Sequence, residues 1–264
     1  MPKIITLLTD FGLQDEFVGV MKGVIWGIAP QAHIADITHA IQPQNILHGA
    51  LVLGRAYHYF PPGSIHLAVV DPGVGTHRRG IALQVGEHTF VGPDNGLFTI
   101  PLNSGEPVQA VSLDNPAYQL PTLSRSFHGR DLFAPAAAQL ARGVPLSEFG
   151  APVTSLVKIE IPRPLRIANI WQAQVILVDS FGNLITNLSG ADLAGQMVVQ
   201  VTCQGENIPG LSETFGGSQP GSLIAMLDSS DSLSLCLVNS SAAKHLAAGP
   251  GTTVEVRVAE LPAG

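Results

Sequence analysis

Charged residues are scarce in this sequence: they make up 12% of its 264 positions, whereas hydrophobic residues make up 45%. So low a charge content excludes a disordered chain and indicates a compact globular protein, long enough for about two domains. The formal net charge is −7, and the sequence contains no run of basic residues. We therefore expect no nucleic acid among its partners.

Cysteine is also rare, since only Cys203 and Cys236 occur, both in apolar, strand-like stretches. We expect two buried thiols, because the CxxC spacing of a metal site is missing. No apolar run reaches the roughly 18 residues that a membrane span needs, so we expect no membrane contact. Met1-Pro2-Lys3 leads directly into a predicted strand without the pattern of a secretory leader, and we predict a cytoplasmic protein.

Several common site motifs are missing as well. The sequence has no GxGxxG after its first strand, no phosphate loop with Gly-Lys-Ser or Gly-Lys-Thr, no HExxH and no GxSxG. These absences favour an uncharged or cationic nucleoside over a phosphorylated ligand.

The most informative stretch that is present follows an apolar run at residues 65–70, which predicts a buried strand. Asp71-Pro72-Gly73-Val74-Gly75 comes directly after it, and its proline and glycines end regular structure and let the backbone approach a ligand. Because sites in open α/β sheets lie at such strand ends, we predict a functional site here. Arg78 and Arg79 follow, and a cation can return to the carboxylate. The alternative is a tight turn with an exposed salt bridge.

Strands and helices alternate through the first half of the chain. Apolar runs predict strands at residues 4–8, 34–37 and 65–70, helical spacing predicts helices at 18–28 and 44–59, and a hairpin is predicted at 80–92. This alternation predicts an α/β N-terminal domain with a mainly parallel, Rossmann-like sheet.

The second half contains only short predicted strands separated by glycine-rich turns. They lie at residues 171–178, 197–203, 222–227, 233–238 and 252–259. This pattern predicts a C-terminal all-β domain, a small antiparallel barrel or sandwich. The predicted domains are residues 1–155 and 170–264, joined by a proline-rich linker at 156–169.

Polar side chains with useful chemistry follow the predicted strands. In the first domain they are Asp10, Asp15, Asp71, Arg78, Asn95 and His128, and in the second Asp179, Phe181, Asn183 and Asn239. An Asp, an Arg and a His at neighbouring strand ends could position and deprotonate a water, and a carboxylate suits the two hydroxyls of a ribose.

Two of these positions have a plainer alternative. His128 precedes an alanine-rich predicted helix at 132–142, and an isolated histidine there is often only a capping or surface residue. The stretch 179–187 could be an ordinary hairpin loop, or a nucleoside clamp in which Phe181 stacks and Asn183 hydrogen bonds.

Six short motifs follow one another along almost the whole chain. They are Thr9-Asp10-Phe11-Gly12 with Asp15, Met21-Lys22-Gly23, Asp71-Pro72-Gly73-Val74-Gly75, Pro93-Asp94-Asn95-Gly96, Phe127-His128-Gly129-Arg130-Asp131 and Asp179-Ser180-Phe181-Gly182-Asn183. In this order and spacing they resemble the S-adenosylmethionine hydroxide adenosyltransferases, whose relatives include fluorinating and chlorinating enzymes.

The resemblance implies the same two domains and a homotrimer with the substrate at the interfaces between subunits. It also implies a nucleophilic substitution, in which water or hydroxide displaces methionine from C5′ of S-adenosylmethionine (SAM) and adenosine forms. We expect no cofactor and no metal, because the sulfonium is already a good leaving group.

The resemblance also implies roles for individual residues. Asp71, Arg78 and His128 match the catalytic set that handles the water. Asp10 matches a carboxylate at the ribose, Asp15 a contact to the methionine amine, Phe181 and Asn183 residues around the adenosyl group, and Asn239 one near the adenine. Further predicted substrate contacts are Asn95, Asp179, Ser230 and Val238.

One segment departs from the family pattern. Family members usually hold the methionine carboxylate with a more polar or charged residue in the part that corresponds to residues 227–234. This sequence has no arginine there, and we predict that the hydroxyl of Ser229 or Ser230 and backbone N–H groups hold the carboxylate.

Two other functions stay open. One is a halide-using adenosyl transferase, and the other is a sensor that binds adenosine or SAM without catalysis. Asp71 and His128 favour the hydrolase over the halogenating enzyme, because a carboxylate repels a halide but can accept a proton from water.

Overall fold

The computed structural model describes residues 3–260, which form two compact units that divide after Glu160. Residues 1–2 and 261–264, at the ends of the two predicted domains, lie outside the described residues. The first of these ranges also begins the stretch in which we expected no secretory leader. The division between the units falls within the predicted linker, 156–169.

The first unit is built on a six-stranded sheet. Its strands are β1 (Ile4–Thr9), β2 (His33–Thr38), β3 (Ile65–Val69), β4 (Gly80–Val85), β5 (His88–Pro93) and β6 (Val108–Ser112). Its helices are α1 (Phe17–Ile28), α2 (Ile46–Ala56), α3 (Thr99–Leu102) and α4 (Ala134–Ala141), with 3₁₀ turns at Tyr57–Tyr59, Pro116–Tyr118 and Leu146–Phe149 and a π-helical turn at Gly129–Phe133.

The strand order of this sheet is β2-β1-β3-β5-β4-β6. The first four strands in that order run parallel, whereas β4 pairs antiparallel with both β5 and β6. The predicted α/β domain with a mainly parallel sheet is therefore confirmed.

Both faces of the sheet are covered by apolar side chains. On one face Met21 and Ile25 of α1 share a buried cluster with α4, and on the other Leu53 of α2 packs with Leu8 and Phe90. All five residues of β3 are buried, as is typical of parallel strands covered on both faces. The strand ends are therefore where polar side chains can reach solvent or a ligand, and β1, β3 and β5 end side by side.

The second unit is antiparallel. Its strands are β7 (Leu165–Ile167), β8 (Ile170–Val178), β9 (Leu184–Ser189), β10 (Gln196–Cys203), β11 (Glu206–Pro209), β12 (Leu223–Leu227), β13 (Ser232–Leu237) and β14 (Thr253–Glu260), with the short helix α5 (Ala242–His245) and a 3₁₀ turn at Phe215–Gly217. The strand order is β11-β10-β14-β8-β9-β13-β12, and β7 pairs with β8.

This second sheet curls almost into a barrel because one long strand serves both halves. The first part of β8 pairs with β14 and its last part with β9. Just beyond β11, the N–H of Ser212 donates to the carbonyl of Ala225 in β12 at 2.8 Å, which brings the two edges of the sheet together. Apolar side chains such as Val201, Leu235 and Val256 fill the interior. The predicted barrel-like domain is confirmed.

The structure also differs from the sequence prediction in places. The stretch 179–187, interpreted as a hairpin loop or a nucleoside clamp, forms a loop only up to Asn183, because residues 184–187 belong to β9. Strands β6, β7 and β11 were not predicted, and β7 uses residues of the predicted linker. The predicted helix at 132–142 starts earlier, with the π-helical turn at Gly129.

Candidate active site

Asp71, Arg78 and His128 meet beyond the end of β3, at the carboxyl edge of the sheet. Arg78 Nε donates to both carboxylate oxygens of Asp71 at 2.9 Å, and Nη2 makes a further, shorter bond to Oδ2. The same Nη2 donates to Nδ1 of His128 at 2.6 Å. The side chains of Asp71 and Arg78 are only 5% and 10% exposed. The three residues therefore form one partly buried hydrogen-bonded chain.

Arg78 decides which nitrogen of His128 carries the proton. A guanidinium has donors and no acceptor, so Nδ1 must accept with its lone pair, and the proton of the neutral ring lies on Nε2. Burial and then the charge of Arg78 lower the pKa of His128, against the opposite effects of Asp71, Asp131 and a hydrogen bond to the backbone of Ser124. The neutral form of His128 is therefore favoured, with its proton on Nε2.

The loop that carries Arg78 is tightly folded. Two successive turns form it, in which Val74 N–H donates to the Asp71 carbonyl and Thr76 N–H to the Gly73 carbonyl, both at 3.2 Å. Gly75 has φ +75°, and a Cβ there would lie 2.2 Å from the carbonyl oxygen of Arg125. The loop thus packs closely against the segment that leads into His128.

Sequence reasoning missed two buried carboxylates that support this arrangement. Asp131 accepts a bond from Ser124 N–H at 2.8 Å and so fixes the chain just before His128. Asp94 accepts from Nε of Arg79, the neighbour of Arg78, at 2.9 Å, and from Val157 N–H at 2.8 Å. Both lie inside motifs that were recognised, Pro93–Gly96 and Phe127–Asp131, but their burial is visible only in the folded chain.

Asp10 and Asn95 lie at the same edge of the sheet, after β1 and β5. Asp10 Oδ2 accepts a bond from Gln44 N–H at 2.7 Å. Asn95 donates from Nδ2 to the Val70 carbonyl at 2.8 Å and accepts from Leu97 N–H at 3.2 Å, so both ends of its amide hold backbone. Asp15 is exposed in the bend before α1. Contact of these three residues with a substrate stays a prediction.

The second unit holds the remaining predicted residues in two places. Asp179 Oδ1 accepts from the N–H groups of Phe181 and Asn183 at 2.9 Å, and Oδ2 accepts from Asn183 Nδ2 at 2.8 Å. This closed loop leaves Phe181 78% exposed. A Cβ on Gly182 would lie 2.1 Å from Ser241 Oγ, so the loop packs against the segment that follows β13.

That segment contains Val238, which is buried, and Asn239, which is exposed and has φ +62°. Ser230 lies before β13 and therefore at the other end of this strand, where its N–H donates to Asp228 Oδ1 at 2.8 Å. The structure thus groups Asp179, Phe181 and Asn183 near Asn239, and it does not bring Ser230 to them.

Cys203 and Cys236 are both free and buried, as predicted. Burial, and then the charges of Asp179 and Asp228, raise the pKa of Cys236 to about 12.

Within residues 3–260, no three His, Cys, Asp or Glu side chains are grouped as metal ligands. No helix in that range combines the length and the apolar character that crossing a bilayer requires.

Comparison with known proteins gives consistent matches over both units. The family model described as SAM hydroxide adenosyltransferase N-terminal domain matches residues 5–150, and the corresponding C-terminal domain model matches residues 173–255. An (R)-S-adenosyl-L-methionine hydrolase from Salinispora tropica is 39% identical over 96% of this chain and 97% of its own length. A fluorinase from Nocardia brasiliensis is 26% identical over 97% of each chain.

A solved structure matches as well. The crystal structure of an uncharacterized conserved protein from Thermotoga maritima has a TM-score of 0.89 and 33% sequence identity to this chain. The match covers 96% of this chain and 99% of the other.

Proposed function

Because this chain belongs to the SAM hydroxide adenosyltransferase family, we propose that it is a SAM hydrolase that releases adenosine and L-methionine. The observation that carries the proposal is the hydrogen-bonded chain of Asp71, Arg78 and His128 at the open edge of the sheet. The order of the identities supports it too, since the hydrolase is 39% identical and the fluorinase 26%.

The reaction is a substitution at C5′ of the substrate. The oxygen of water forms a bond to C5′ while the C5′–S bond breaks, and the electron pair of that bond stays on sulfur. Methionine therefore leaves as a neutral thioether and needs no acid. Water is the weak partner, with a pKa of about 15.7, so the protein must orient it in line with the C5′–S bond and take its proton.

We assign Asp71 as the group that accepts the proton of the attacking water. Neutral His128 presents Nε2–H and can only donate to the water oxygen, which orients the water but leaves its proton in place. The Asp71 carboxylate keeps lone pairs beyond those used by Arg78 and can accept that proton before passing it to solvent. The paired hydrogen bonds from Arg78 hold the Asp71 carboxylate in position for this transfer.

The fluorinase relationship makes halide the alternative nucleophile. A halide beside Asp71 would meet a carboxylate in a partly buried site, where charges repel more strongly than in water. Water carries no charge and is not repelled by Asp71, which can also accept its proton. Hydrolysis therefore fits this site better than halide transfer.

The remaining predicted residues are assigned to the other parts of the substrate. In this proposal Asp10 holds the ribose hydroxyls, Asp15 the methionine amine, and the exposed ring of Phe181 stacks on the adenine. The further proposed substrate contacts are Asn95, Asp179, Asn183, Ser230, Val238 and Asn239. The residues named supply orientation and proton transfer, and we propose no cofactor.

We also propose that the protein is a homotrimer in which each site combines the first unit of one subunit with the second unit of its neighbour. The support is the family resemblance and the division of the predicted residues between two compact units. The cytoplasm is its proposed location, which suits two free, buried thiols.

A product assay tests the proposed reaction. The protein is incubated with SAM in H₂¹⁸O, with and without chloride, and the products are separated and weighed by mass spectrometry. We expect equal amounts of adenosine and methionine, with ¹⁸O in the 5′-hydroxyl. Both sulfonium epimers are compared, because the relative is named for the (R) form.

Each other outcome has a clear meaning. A 5′-chloro product would show halide transfer, and ¹⁸O-free adenosine would contradict attack of water at C5′. Binding of SAM without any product would instead show a sensor.

A further inference from the structure

His39 holds the backbone on both sides of Asp10. Its ring is almost fully buried, and Nδ1 lies 2.8 Å from Thr9 Oγ1. Thr9 Oγ1 in turn accepts the N–H of Phe11 at 3.2 Å. The backbone carbonyl of His39 accepts the N–H of Gly12 at 2.8 Å. Residues 9, 11 and 12 are thus tied to one histidine, and Asp10 lies between them.

His39 is itself fixed from its other side. Nε2 lies 3.2 Å from Asp36 Oδ1, an electrostatic contact without the angle of a hydrogen bond, and Asp36 Oδ2 accepts from Lys22 Nζ at 2.6 Å. The pairing of β1 with β2 shifts register just before this point, with Leu7 opposite Asp36 and Leu8 opposite Thr38. Such irregularities re-aim the side chains that follow, here toward the end of β1.

The carboxylate of Asp10 needs this support because its own anchors are few. Gln44 N–H holds Oδ2 at 2.7 Å and so sets the side-chain rotamer. The backbone that carries it passes through Gly12 at φ +70°, a conformation that glycine adopts readily and that a small shift can change. A carboxylate that accepts bonds from two adjacent hydroxyls must be held to within a fraction of an ångström.

We propose that His39 and Thr9 are positioning residues for Asp10, and that they set the preference of the site for a ligand with both ribose hydroxyls. The inference rests on the proposed function, since it takes Asp10 as the ribose carboxylate. Thr9 is fully buried and acts only through the turn at residues 10–12. Its loss should therefore raise KM for SAM far more than it changes kcat.

The strand β1 provides a matched control. Thr6 Oγ1 lies 2.8 Å from Nδ1 of His66, and Thr6 is as deeply buried as Thr9. Each of the substitutions Thr6→Val and Thr9→Val therefore removes from β1 a threonine hydroxyl that lies next to Nδ1 of a histidine. Only Thr9 is connected to the turn that carries Asp10.

The test is calorimetric binding of adenosine and of 2′,3′-dideoxyadenosine to the full-length protein, with steady-state kinetics on SAM. Thr9→Val should weaken adenosine by about tenfold and the dideoxy ligand by less than about twofold, and it should raise KM with little change in kcat. Thr9→Ser keeps the hydroxyl and should restore the preference for adenosine. Thr6→Val should leave the ratio of the two affinities unchanged.

Asp10→Ala separates this inference from the proposed function. If Asp10→Ala weakens both ligands equally, Asp10 is not the ribose clamp, and the inference is overturned with that assignment. If Asp10→Ala is selective but Thr9→Val weakens both ligands equally or behaves like Thr6→Val, the inference alone is overturned. Should Thr9→Val fail to fold, His39→Phe replaces the imidazole with a phenyl ring that lacks Nδ1 and keeps the backbone carbonyl, and an unselective loss there has the same meaning.

Discussion

At the scale of single residues, the chemistry of the site depends on Arg78 being an arginine. One guanidinium reaches both oxygens of Asp71 and still donates to His128. A lysine is a compact point charge without the planar fork, so it could not hold the carboxylate and the imidazole in this relative orientation. The tautomer of His128 and the orientation of Asp71 thus have one common origin.

Replacing the nucleophile-handling residues should affect turnover and spare binding. Asp71→Asn removes the proton acceptor, and His128→Ala removes the group that orients the water. We expect each to lower kcat by roughly 10² or more and to change adenosine affinity by less than about tenfold. His77→Ala, an exposed histidine in the same loop, is the control. Single-turnover kinetics and calorimetry measure the two quantities. Wild-type turnover in either site variant would show that the assignment of the nucleophile is wrong.

Some residues of the site can be recognised from the sequence, and others cannot. Asp71 was recognised because it ends an apolar run before proline and glycine, a pattern local in sequence. Asp131 and His39 were missed, although each lies next to a recognised element. Their roles depend on contacts with Ser124 and Thr9 in the folded chain, and periodicity does not predict such contacts.

At the scale of elements, the loop after β3 depends on Gly75. A side chain there would meet the Arg125 carbonyl and would also have to adopt φ +75°. Gly105→Ala is a matched control, because Gly105 has φ +85° with open space around its Cβ position. We expect Gly105→Ala to cost about 1 kcal/mol of unfolding free energy. Gly75→Ala should cost more and also lower kcat, as urea unfolding and kinetics would reveal. Equal effects would mean that close packing of this loop is unimportant.

Three neighbouring strands share a buried polar cluster that should make the fold acid-sensitive. His66 of β3 is paired with Thr6 of β1 at 2.8 Å and with His88 of β5 at 3.1 Å. Burial, and then the nearby His88, lower the pKa of His66 from 6.5 to about 3. Its contribution to stability is therefore complete above pH 6.5 and is lost as the pH falls toward 3, because the unfolded chain takes up the proton first.

This loss should reach roughly 4 kcal/mol in the unfolding free energy near pH 3. Urea unfolding between pH 8 and pH 4 measures its onset. The double variant Thr6→Val with His66→Leu replaces both partners by apolar groups, so it should lose less stability than the wild type as the pH falls. The same acid loss in the double variant would assign the effect to other groups.

The elements also show where sequence patterns succeed and fail. The buried parallel strands were found because they are short, continuous apolar runs. The alternation of polar and aromatic residues over 179–187 favoured a hairpin loop or a nucleoside clamp there. Residues 184–187 nevertheless belong to β9, where Thr186 is buried and its hydroxyl donates to the Leu233 carbonyl at 2.8 Å. A polar residue satisfied inside a sheet cannot be distinguished by sequence from one in a loop.

At the scale of the whole molecule, the predicted site residues are divided between two compact units. Asp10, Asp71 and His128 belong to the first, and Phe181 and Asn183 to the second. If one site needs both sets, as we propose, its completeness depends on how units of different subunits are combined. A closed ring of three chains with head-to-tail contacts would provide three such sites.

Subunit mixing tests this arrangement. His128→Ala damages only the first unit and Asn183→Ala only the second, so each homotrimer should be inactive. After reversible dissociation and random reassembly of equal amounts, about a quarter of the sites should combine two intact units, and activity should return to that extent. Mixing His128→Ala with Asp71→Asn is the control, because both damage the first unit and every site in the mixture stays defective. Native mass spectrometry verifies that mixed trimers form. Mixed trimers of the first pair that stay inactive would mean that each site lies within one chain, because only then does no combination of subunits bring an intact first unit to an intact second one.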